Sequence, residues 1–596
     1  MRAFRPRDIF HLRRLHDVAL APDGEAVAYS LAEPDPRSGG YSSSIYRLGL
    51  DDRIPRSLTH GARDRRPWYA PDGRHLAFLR HDGDADQVHL LPLSGGEALQ
   101  LTALGHGVTS YAWGPHGRQM AVLSAVGPNG PTNRQLYRFD LDGTWRQLSD
   151  DALDHRDPIF APDGRHIASV LVSPDGSAAI GLVPVDGGPW HLLTSWHRAW
   201  ARPVFAPDGS CLYALGCGPG DEPGLWRVDL QGDARMIASA PWPDAFLPHL
   251  RGSGLTSPDL FVTGDGQSLL ALLHTRTQAV LARCSLSHGR WHAEPTQGLR
   301  IQSFAASAAG ERTVLLAGPP DQPPEVLLRD ENGRIALRSD HHELFLADAS
   351  FAPLQPVGDP ARGVGMLLPP PGPGPSPLAV ILDDVPDQAT GNTSSLLAQA
   401  LCGRGVAVLR APLSPAQITE AAHDPQLLQA KLEALVAESL QTHPVDGSRL
   451  ALVGEGRGGY LALMMLTLTR SFRAAATLGA ATDLVSLWGS GDLTGATGIR
   501  DLAPPWRSPE PYLAGSPLLL ADRIEAAVLL LQGRQDRVVP PDQARELCRA
   551  LERLGRPVQC EIYPLLGHEP LQEAPLRLQT QILDLTAAWL SDQLAR

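Results

Sequence analysis

A short phrase, Ala-Pro-Asp-Gly followed by an apolar strand, returns along the first half of the chain and limits its fold more than any other feature of the sequence. Clear copies begin at Ala21, Ala70, Ala161 and Ala206, and weaker copies are Gly114-Pro115-His116-Gly117, Thr263-Gly264-Asp265-Gly266 and Ala308-Ala309-Gly310. Most successive copies lie roughly 45 to 50 residues apart, which is the length of four short strands with their turns. The repeat therefore predicts a β-propeller of six or seven blades over residues 1–350, with a short helical segment at its N-terminus.

The residue types of the phrase suit a tight turn between two strands. Proline sets φ at the start of a turn, aspartate accepts hydrogen bonds from the backbone that follows, and glycine takes the positive φ before the next strand. Calcium binding is the weaker interpretation of these aspartates, because no copy supplies the dense run of oxygen ligands that Ca²⁺ requires. We therefore expect the aspartates to form turns.

The sequence pattern changes after about residue 350. A proline-rich stretch over residues 368–375 leads into apolar strands that alternate with helical stretches. The expected strands cover residues 378–382, 406–409, 449–454 and 527–531, and residues 427–440 repeat apolar side chains at helical spacing. Strands in alternation with helices are typical of a parallel α/β sheet. Residues 351–596 are therefore predicted to form a second domain of α/β type.

Composition and charge exclude several classes of protein. The chain of 596 residues is 43% hydrophobic and carries a formal net charge of -13, which argues against binding to nucleic acid or to an anionic membrane, because both require a basic surface. The charged N-terminus lacks the apolar core of a secretory signal, and no apolar run approaches the length that spans a bilayer, so a cytoplasmic location is expected. The six cysteines form no CxxC motif and no Cys/His cluster, so we expect reduced, mostly buried thiols, no metal site and no cofactor.

A glycine-rich turn between Gly454 and Gly459 joins a predicted strand to a predicted helix. In a serine hydrolase this turn reads G-x-S-x-G: glycines flank a strained residue whose hydroxyl stands above the sheet, and the next N–H points toward the oxyanion that forms during acyl transfer. Here the central position is Gly456, and Arg457 supplies the following N–H. The sequence thus predicts a nucleophile elbow that has no nucleophile.

The same turn admits a different interpretation. Gly454, Gly456 and Gly459 spell GxGxxG between a strand and a helix, with Asp483 about twenty residues further on, as in dinucleotide-binding domains. Such a fingerprint usually opens its domain, whereas this one follows at least two earlier strands. The residues further along the chain favour the hydrolase interpretation.

Two downstream residues lie where a hydrolase triad would have its acid and its base. Asp536 follows the strand expected over residues 527–531, and His568 lies in a loop after another strand. Their order, nucleophile position then acid then base, is the order that α/β-hydrolases use. We therefore expect Asp536 and His568 to be the acid and the base of a triad whose nucleophile is missing.

These motifs resemble those of the prolyl oligopeptidase family of serine peptidases (peptidase S9), and most of all its acylaminoacyl-peptidase and dipeptidyl-peptidase-like branch. The resemblance covers nearly the whole chain. It rests on an opening segment, an elbow similar to G-x-S-x-G-G-Y and a C-terminal signature, which comprise residues 8–24, Gly454, Gly458, Gly459, Tyr460, Ser516, Pro517, 521–524, Gly533, Asp536, Val539, Pro540, Tyr563, Pro564, Gly567 and His568. The resemblance implies an N-terminal β-propeller and a C-terminal α/β-hydrolase domain, with a pocket for ligands between them.

The chain also departs from the family pattern. Gly456 stands where the family has its serine. Asp383-Asp384-Val385-Pro386 stands where the family has H-G-G-P, which adds two negative charges near the expected oxyanion, and the tyrosine and glycine of the family's N-Y-R-G-S stretch are missing from residues 411–415. The resemblance therefore places Arg457, Asp383 and Asp384 in the oxyanion region. Three altered elements together predict severely impaired catalysis.

The first functional hypothesis is a pseudopeptidase, a catalytically impaired homologue that binds a peptide or a small-molecule ligand between its domains and can also form a homo-oligomer. The second is a working oligopeptidase, acylaminoacyl peptidase or esterase-like hydrolase that uses Ser490 or Cys402 as nucleophile, or a water activated by His568 with help from Glu455. A glycine engineered into an active enzyme would not explain Asp383 or the lost tyrosine. A purely structural role for the α/β domain is not separable from the first hypothesis by sequence.

Overall fold

The computed structural model of the chain describes residues 2–596, apart from residues 52–53, 62, 126–132, 198, 218–222, 242–259, 275–278, 360–362, 384–392, 414–424, 492–502, 569–570 and 572–573. In the part that is described, seven four-stranded sheets precede one eight-stranded sheet. A two-stranded sheet of β1 (Arg2–Ala3) and β30 (Ala349–Ser350) joins the start of the chain to the segment between the two halves.

Each small sheet is an antiparallel meander of four consecutive strands, numbered β2 to β29 in chain order. Blades 1 to 3 comprise Arg14–Leu20, Ala26–Pro34, Tyr41–Gly49 and Arg56–Ser57; Asp64–Tyr69, His75–His81, Asp86–Pro92 and Leu99–Gln100; and Ser110–Trp113, Gln119–Ala125, Arg134–Asp140 and Trp145–Gln147. Blades 4 and 5 comprise Asp154–Phe160, His166–Val172, Ala178–Pro184 and His191–Leu192; and Ala199–Phe205, Cys211–Cys217, Pro223–Asp229 and Ala234–Ser239. Blades 6 and 7 comprise Leu260–Val262, Ser268–His274, Ala279–Ser285 and Arg290–Ala293; and Arg300–Ala306, Thr313–Gly318, Glu325–Arg329 and Ile335–Leu337. The propeller therefore has seven blades, the larger of the two numbers that the repeat allows.

The repeated Ala-Pro-Asp-Gly phrase forms the turn between the first and second strands of a blade. In blade 1 the carboxylate of Asp23 accepts a hydrogen bond of 3.0 Å from the N–H of Glu25, and Gly24 has a φ of 75°. The same carboxylate-to-backbone bond recurs at Asp72, Asp163, Asp208 and Asp265. The expectation that these aspartates form turns is confirmed.

A second periodic feature, which the sequence analysis missed, lies four residues before the repeated phrase. Asp17, Arg66, Asp157 and Arg202 occupy this position in the first strands of blades 1, 2, 4 and 5, and all four have a positive φ at a β-bulge. The carboxylate of Asp17 accepts a bond of 3.1 Å from the N–H of Arg66, and that of Asp157 accepts one of 2.9 Å from the N–H of Arg202. The bulges therefore tie neighbouring blades together.

The C-terminal domain is built on a mostly parallel sheet. Its strands are β31 (Gln355–Asp359), β32 (Gly363–Leu368), β33 (Ser376–Asp383), β34 (Ala407–Pro412), β35 (Val445–Glu455), β36 (Phe472–Leu478), β37 (Ala527–Gly533) and β38 (Val558–Tyr563). Their order in the sheet is β31-β32-β34-β33-β35-β36-β37-β38. β32 pairs antiparallel with both of its neighbours, β31 and β34, and every other pair is parallel. The four strands expected from the sequence are confirmed as β33, β34, β35 and β37.

Helices cover this sheet on both faces. The α-helices of the described chain are α1 (Glu343–Asp348), α2 (Thr393–Cys402), α3 (Pro425–Thr442), α4 (Arg457–Leu468), α5 (Leu484–Ser490), α6 (Glu510–Ala514), α7 (Asp542–Arg553) and α8 (Leu576–Ala595), with 3-10 helices at Pro6–His11 and Pro517–Arg523. The helix expected over residues 427–440 is α3. Among the described residues, no helix is long and apolar enough to cross a membrane.

The central strands do not alternate between apolar and polar residues, and the continuous apolar run of β37 shows why. Val528 and Leu530 pack into the core on one face of the sheet, whereas Leu529 and Leu531 pack into the core on the other. Successive side chains of a strand point to opposite faces, so a strand with helices on both faces is apolar at every position.

Residues 2–12 pack on the α/β domain although they precede the propeller. Phe4 and Ile9 belong to the core that α8 also lines, and the ring of Phe4 stacks on Phe351 with 5.3 Å between centroids. Because β1 pairs with β30, the chain leaves the α/β domain to form the propeller and returns beside its own starting point.

The substitution Ile9→Ala tests this anchoring. Ile9 is fully buried, so removal of its outer atoms should lower the free energy of unfolding of the α/β domain by about 2–5 kcal/mol. The measurement is urea-induced unfolding followed by hydrogen exchange of α8. Ile54→Ala, at a position that is 61% exposed in blade 1, is the control and should change stability by less than about 0.5 kcal/mol. Equal effects of the two substitutions would show that the N-terminal segment is not part of this core.

Candidate active site

Three loops at the carboxyl ends of neighbouring parallel strands carry the candidate site. Gly456 follows β35, Asp536 follows β37, and His568 lies in the loop after β38. The carboxyl ends of parallel strands meet at one edge of a sheet, which is where open α/β sheets bind their ligands. The structure brings all three residues together there.

Asp536 and His568 form a hydrogen-bonded pair. The Nδ1 atom of His568 lies 2.9 Å from Oδ2 of Asp536. The aspartate side chain is fully buried, whereas that of the histidine is 28% exposed. This is the arrangement in which a carboxylate orients an imidazole and stabilises it when it takes up a proton.

Further donors hold the Asp536 carboxylate in place. Its Oδ1 atom accepts hydrogen bonds from the N–H groups of Val538 and Val539 at 2.9 Å and 2.8 Å. Its Oδ2 atom accepts a third, of 2.8 Å, from the side-chain amide of Gln532, which also donates to the carbonyl of Val539. The sequence analysis missed Gln532. Its position as a polar residue near the end of β37, an otherwise apolar strand, could have indicated a role at the site.

Gly456 lies at a sharp turn between β35 and α4. Its backbone has a φ of 53° and a ψ of -115°, a combination that side chains disfavour and glycine adopts without strain. The glycines around it are required for another reason, close packing. A Cβ atom on Gly454 would lie 2.2 Å from the backbone of Gly458, and one on Gly458 would lie 2.1 Å from the carbonyl oxygen of Leu382 in β33.

The position of Gly456, by contrast, has room for a side chain. A Cβ atom built there would lie 3.6 Å from Nε2 of His568 and 4.0 Å from its Cε1, and apart from Gly456 itself and its two chain neighbours no other described residue has a heavy atom within 4 Å. A hydroxyl group on that carbon would lie within hydrogen-bonding reach of Nε2, as a triad nucleophile must. The geometry thus places residue 456 opposite the base.

Gly479 is a second glycine at this site that the sequence analysis missed. A Cβ atom on Gly479 would lie 3.1 Å from the backbone oxygen of His568 and 3.6 Å from Oδ2 of Asp536. Its own N–H donates to the carbonyl of Leu531. A side chain here would therefore press against the acid–base pair.

The residues expected in the oxyanion region lie on two elements that meet at the elbow. Arg457 is the first residue of α4, so its N–H is one of those at the helix start that have no acceptor within the helix. Asp383 is the last residue of β33, the strand whose Leu382 is in register with Gly454. Asp384 lies outside the described residues, as does the side chain of Asp383.

The residues of the competing interpretations have other roles. The side chain of Asp483 caps α5 by accepting from the N–H of Val485, so it is a helix cap within the α/β-hydrolase fold. Ser490 donates its hydroxyl hydrogen to the carbonyl of Ser486. Cys402 is buried, which raises the pKa of its thiol, and it donates to the carbonyl of Leu368. Neither is presented to His568 as an activated nucleophile. Glu455 is the last residue of β35, directly before the turn.

A narrow cleft lies where blade 7 meets the α/β domain. Arg300 and Pro320 line it from the propeller, and Ser395, Gln399 and Arg410 line it from the α/β domain. The amide of Gln399 exchanges two hydrogen bonds with the backbone of Ala352, in the segment that connects the domains. Phe351, Leu354 and Leu368 complete the lining, so this junction combines polar and apolar side chains.

Comparison with known proteins agrees with this geometry. The family model described as "Prolyl oligopeptidase family" matches residues 430–595, which include Gly456, Asp536 and His568. Residues 430–595 therefore belong to the prolyl oligopeptidase family. The uncharacterized peptidase YuxL of Bacillus subtilis (strain 168) is similar to this chain, with 23% identity over 98% of this chain and 99% of its own length. The acylamino-acid-releasing enzyme of Rattus norvegicus shares 29% identity over 22% of this chain and 19% of its own.

Solved structures of the prolyl oligopeptidase fold extend the likeness to both domains. The acylaminoacyl peptidase of Pyrococcus horikoshii superposes with a TM-score of 0.80 over 99% of this chain and 98% of its own, at 16% sequence identity. A puromycin hydrolase superposes with a TM-score of 0.74 over 98% of this chain and 95% of its own, at 20% identity. The combination of a seven-bladed propeller and an α/β-hydrolase domain, which the resemblance implied, is confirmed.

Alanine at two glycines of the elbow should have unequal effects. Gly458→Ala would place a carbon atom 2.1 Å from the carbonyl oxygen of Leu382, so we expect a loss of more than about 4 kcal/mol of stability or failure to fold. Gly456→Ala meets only the ring of His568 and should cost about 1–3 kcal/mol from backbone strain. The measurement is chemical unfolding of both variants. A larger loss for Gly456→Ala than for Gly458→Ala would contradict the geometry of the elbow.

Proposed function

We propose that this protein is a catalytically impaired member of the prolyl oligopeptidase family, a pseudopeptidase that binds a peptide or a small-molecule ligand between its propeller and its α/β domain. The single observation that carries the proposal is the position of Gly456. It lies opposite Nε2 of His568, where a hydroxyl would be activated, and it has no side chain. Loss of a triad nucleophile lowers turnover about a millionfold.

The surroundings of the elbow support the same conclusion. A working site needs preorganised donors for the oxyanion, and removal of one such donor costs on the order of a hundredfold or more in turnover. In this sequence Asp383 and Asp384 stand where the family has H-G-G-P, so negative charge replaces flexible glycines next to the place where an oxyanion would form. A hydroxyl at residue 456 alone would therefore not restore the site.

The proposed ligand site is the region between the two domains. Ligand sites occur preferentially at domain interfaces, and the carboxyl ends of the parallel strands, where Gly456, Asp536 and His568 meet, are the edge at which open α/β sheets bind ligands. The relatives of this chain include a peptidase and an acylamino-acid-releasing enzyme. A peptide with a blocked or free N-terminus is accordingly the ligand class that we propose first.

One observation favours a second candidate function, hydrolysis by an activated water. The space that a side chain on residue 456 would fill faces the ring of His568, and His568 is oriented by Asp536 as a general base requires. In this candidate His568 takes a proton from water as the water oxygen attacks the carbonyl carbon of the substrate. The tetrahedral intermediate then collapses with cleavage of the bond to the leaving amine or alcohol, which receives the proton back from His568, and the carboxylic acid is released. The two candidates differ in whether His568 is needed for any turnover.

Activity assays with His568→Ala separate these candidates. We expect that neither the wild-type protein nor His568→Ala is labelled by a fluorophosphonate or turns over acyl-aminoacyl or Xaa-Pro chromogenic substrates, because residue 456 offers no nucleophile. His443→Ala is the matched control, since His443 is a half-buried histidine of the same domain that contacts Gln355. Turnover that persists in His443→Ala and disappears in His568→Ala would overturn the pseudopeptidase proposal and support the activated water.

Installing the missing hydroxyl tests the oxyanion region. Gly456→Ser should recover little turnover, at least about a hundredfold below what a complete site would give, because the donors that stabilise the oxyanion are altered. Gly456→Ala is the control, since it carries the same backbone strain without a hydroxyl, and the ratio of the two rates isolates the hydroxyl. A large gain in Gly456→Ser alone would show that the oxyanion region is intact.

A further inference from the structure

Two of the six cysteines lie beside each other in the α/β domain. Cys548 is in α7 and Cys560 is in β38, and both are free and half-buried. α7 packs on β38, and the side chains of the two cysteines are hydrogen-bonded to each other. We call Cys548 and Cys560 together the thiol pair.

The residue pattern of α7 explains why Cys548 is turned toward the sheet. The buried residues Ala544, Leu547 and Leu551 of this helix belong to the core on one face of the sheet. Cys548 follows Leu547 directly and lies about one turn from both Ala544 and Leu551, so it shares their face of the helix. Its side chain packs against the same core.

The alternation of β38 brings Cys560 to that same face. Val558 and Cys560 pack against the core beneath α7, whereas Tyr563 packs against the core on the opposite face of the sheet, because successive side chains of a strand alternate in direction. β38 is the last strand in the order of the sheet, and all of its residues are half-buried. The thiol pair therefore lies at a sheet edge that is partly open to solvent.

Burial and nearby charges keep both thiols protonated. Sγ of Cys548 lies 3.7 Å from Oε1 of Glu552, one turn further along α7. Burial and the charge of Glu552 raise the pKa of the Cys548 thiol, against the opposing effect of the bond with Cys560. Burial, the Cys548 thiol and Glu561 raise the pKa of the Cys560 thiol to about 12, against the opposing charge of Arg545. The resting form of the thiol pair is therefore the dithiol.

We propose that the thiol pair is a redox modification site, at which a small-molecule disulfide oxidises Cys548 and Cys560 to an intradomain disulfide that locks α7 onto β38. A disulfide forms only where two Cβ atoms come within about 3.5–4.5 Å of each other. Two side chains that already form a hydrogen bond need little movement to meet that condition.

The reaction consists of two exchange steps. The Cys548 thiol loses its proton and its sulfur attacks one sulfur of the small disulfide, which leaves a mixed disulfide and releases one small thiolate that takes up the proton. The Cys560 thiol then loses its proton and its sulfur attacks Sγ of Cys548, which releases the second small thiol in the same way. The two cysteines lose two hydrogens and two electrons in all, and the small disulfide gains both.

The thiol pair also lies between the two loops that carry the acid and the base of the candidate site. α7 follows the loop of Asp536, and β38 precedes the loop of His568. A disulfide between residues 548 and 560 therefore ties together the two elements from which these loops extend. The cross-link restrains the unfolded chain and opposes the separation of α7 from β38.

Treatment of the reduced full chain with glutathione disulfide, followed by blocking of free thiols and peptide mapping without reductant, tests the proposal. We expect two peptides joined through Cys548 and Cys560, lighter by two hydrogen atoms than the separate reduced peptides. Hydrogen exchange of α7 and β38 should be slower by about tenfold or more in the oxidised protein than in the reduced protein. Reduction with dithiothreitol should reverse both changes.

Cys560→Ser and Cys217→Ser are the matched variants. Each replaces one half-buried cysteine, but Cys217 lies in blade 5 of the propeller. Cys560→Ser should lose both the cross-link and the change in hydrogen exchange, whereas Cys217→Ser should keep both.

Four results with the wild-type protein would overturn the proposal, and none of them depends on a variant that folds. Thiols of Cys548 and Cys560 that both stay free would show that the pair is not oxidised by a small disulfide. A glutathione adduct that persists on either cysteine, or a preferred cross-link to another cysteine, would show that the two sulfurs do not meet. Unchanged hydrogen exchange of α7 after the cross-link has formed would show that the disulfide does not lock the helix.

Discussion

The close approach of α4 to β33 fixes the geometry on which the candidate site depends. Gly458 lies so near the carbonyl of Leu382 that no side chain fits between them, and Gly454 lies equally near Gly458. The chain can pass from β35 into α4 only through a sharp turn, and that turn gives Gly456 its positive φ. Residue 456 is thereby held opposite His568, whether or not it carries a side chain.

The turn does not need a side chain at residue 456, and the Asp536–His568 pair does not need one either. Asp536 accepts bonds from Gln532, Val538 and Val539 as well as from His568. Buried carboxylates need such donors in any folded protein, so Asp536 organises the loop after β37 independently of chemistry. The pair therefore keeps its geometry whether or not residue 456 carries a side chain.

The propeller and the α/β domain are connected twice, at the start and at the end of the propeller. Residues near Phe4 and Ile9 pack into the α/β core before blade 1 begins, and β30 lies beside β1 after blade 7 ends. Both connections therefore lie beside the first and the last blade of the propeller.

The sequence by itself determined the elements that repeat or that obey local backbone chemistry. The Asp-Gly turns, the strand, turn and helix of the elbow, and the order of Gly456, Asp536 and His568 are local patterns, so they could be read without a structure. The closeness of Gly479 to His568 and the pairing of β1 with β30 join residues far apart in the chain. Only the tertiary structure decided them, because a hydrogen bond or a close contact depends on which distant segments packing brings together, and a single sequence does not record that.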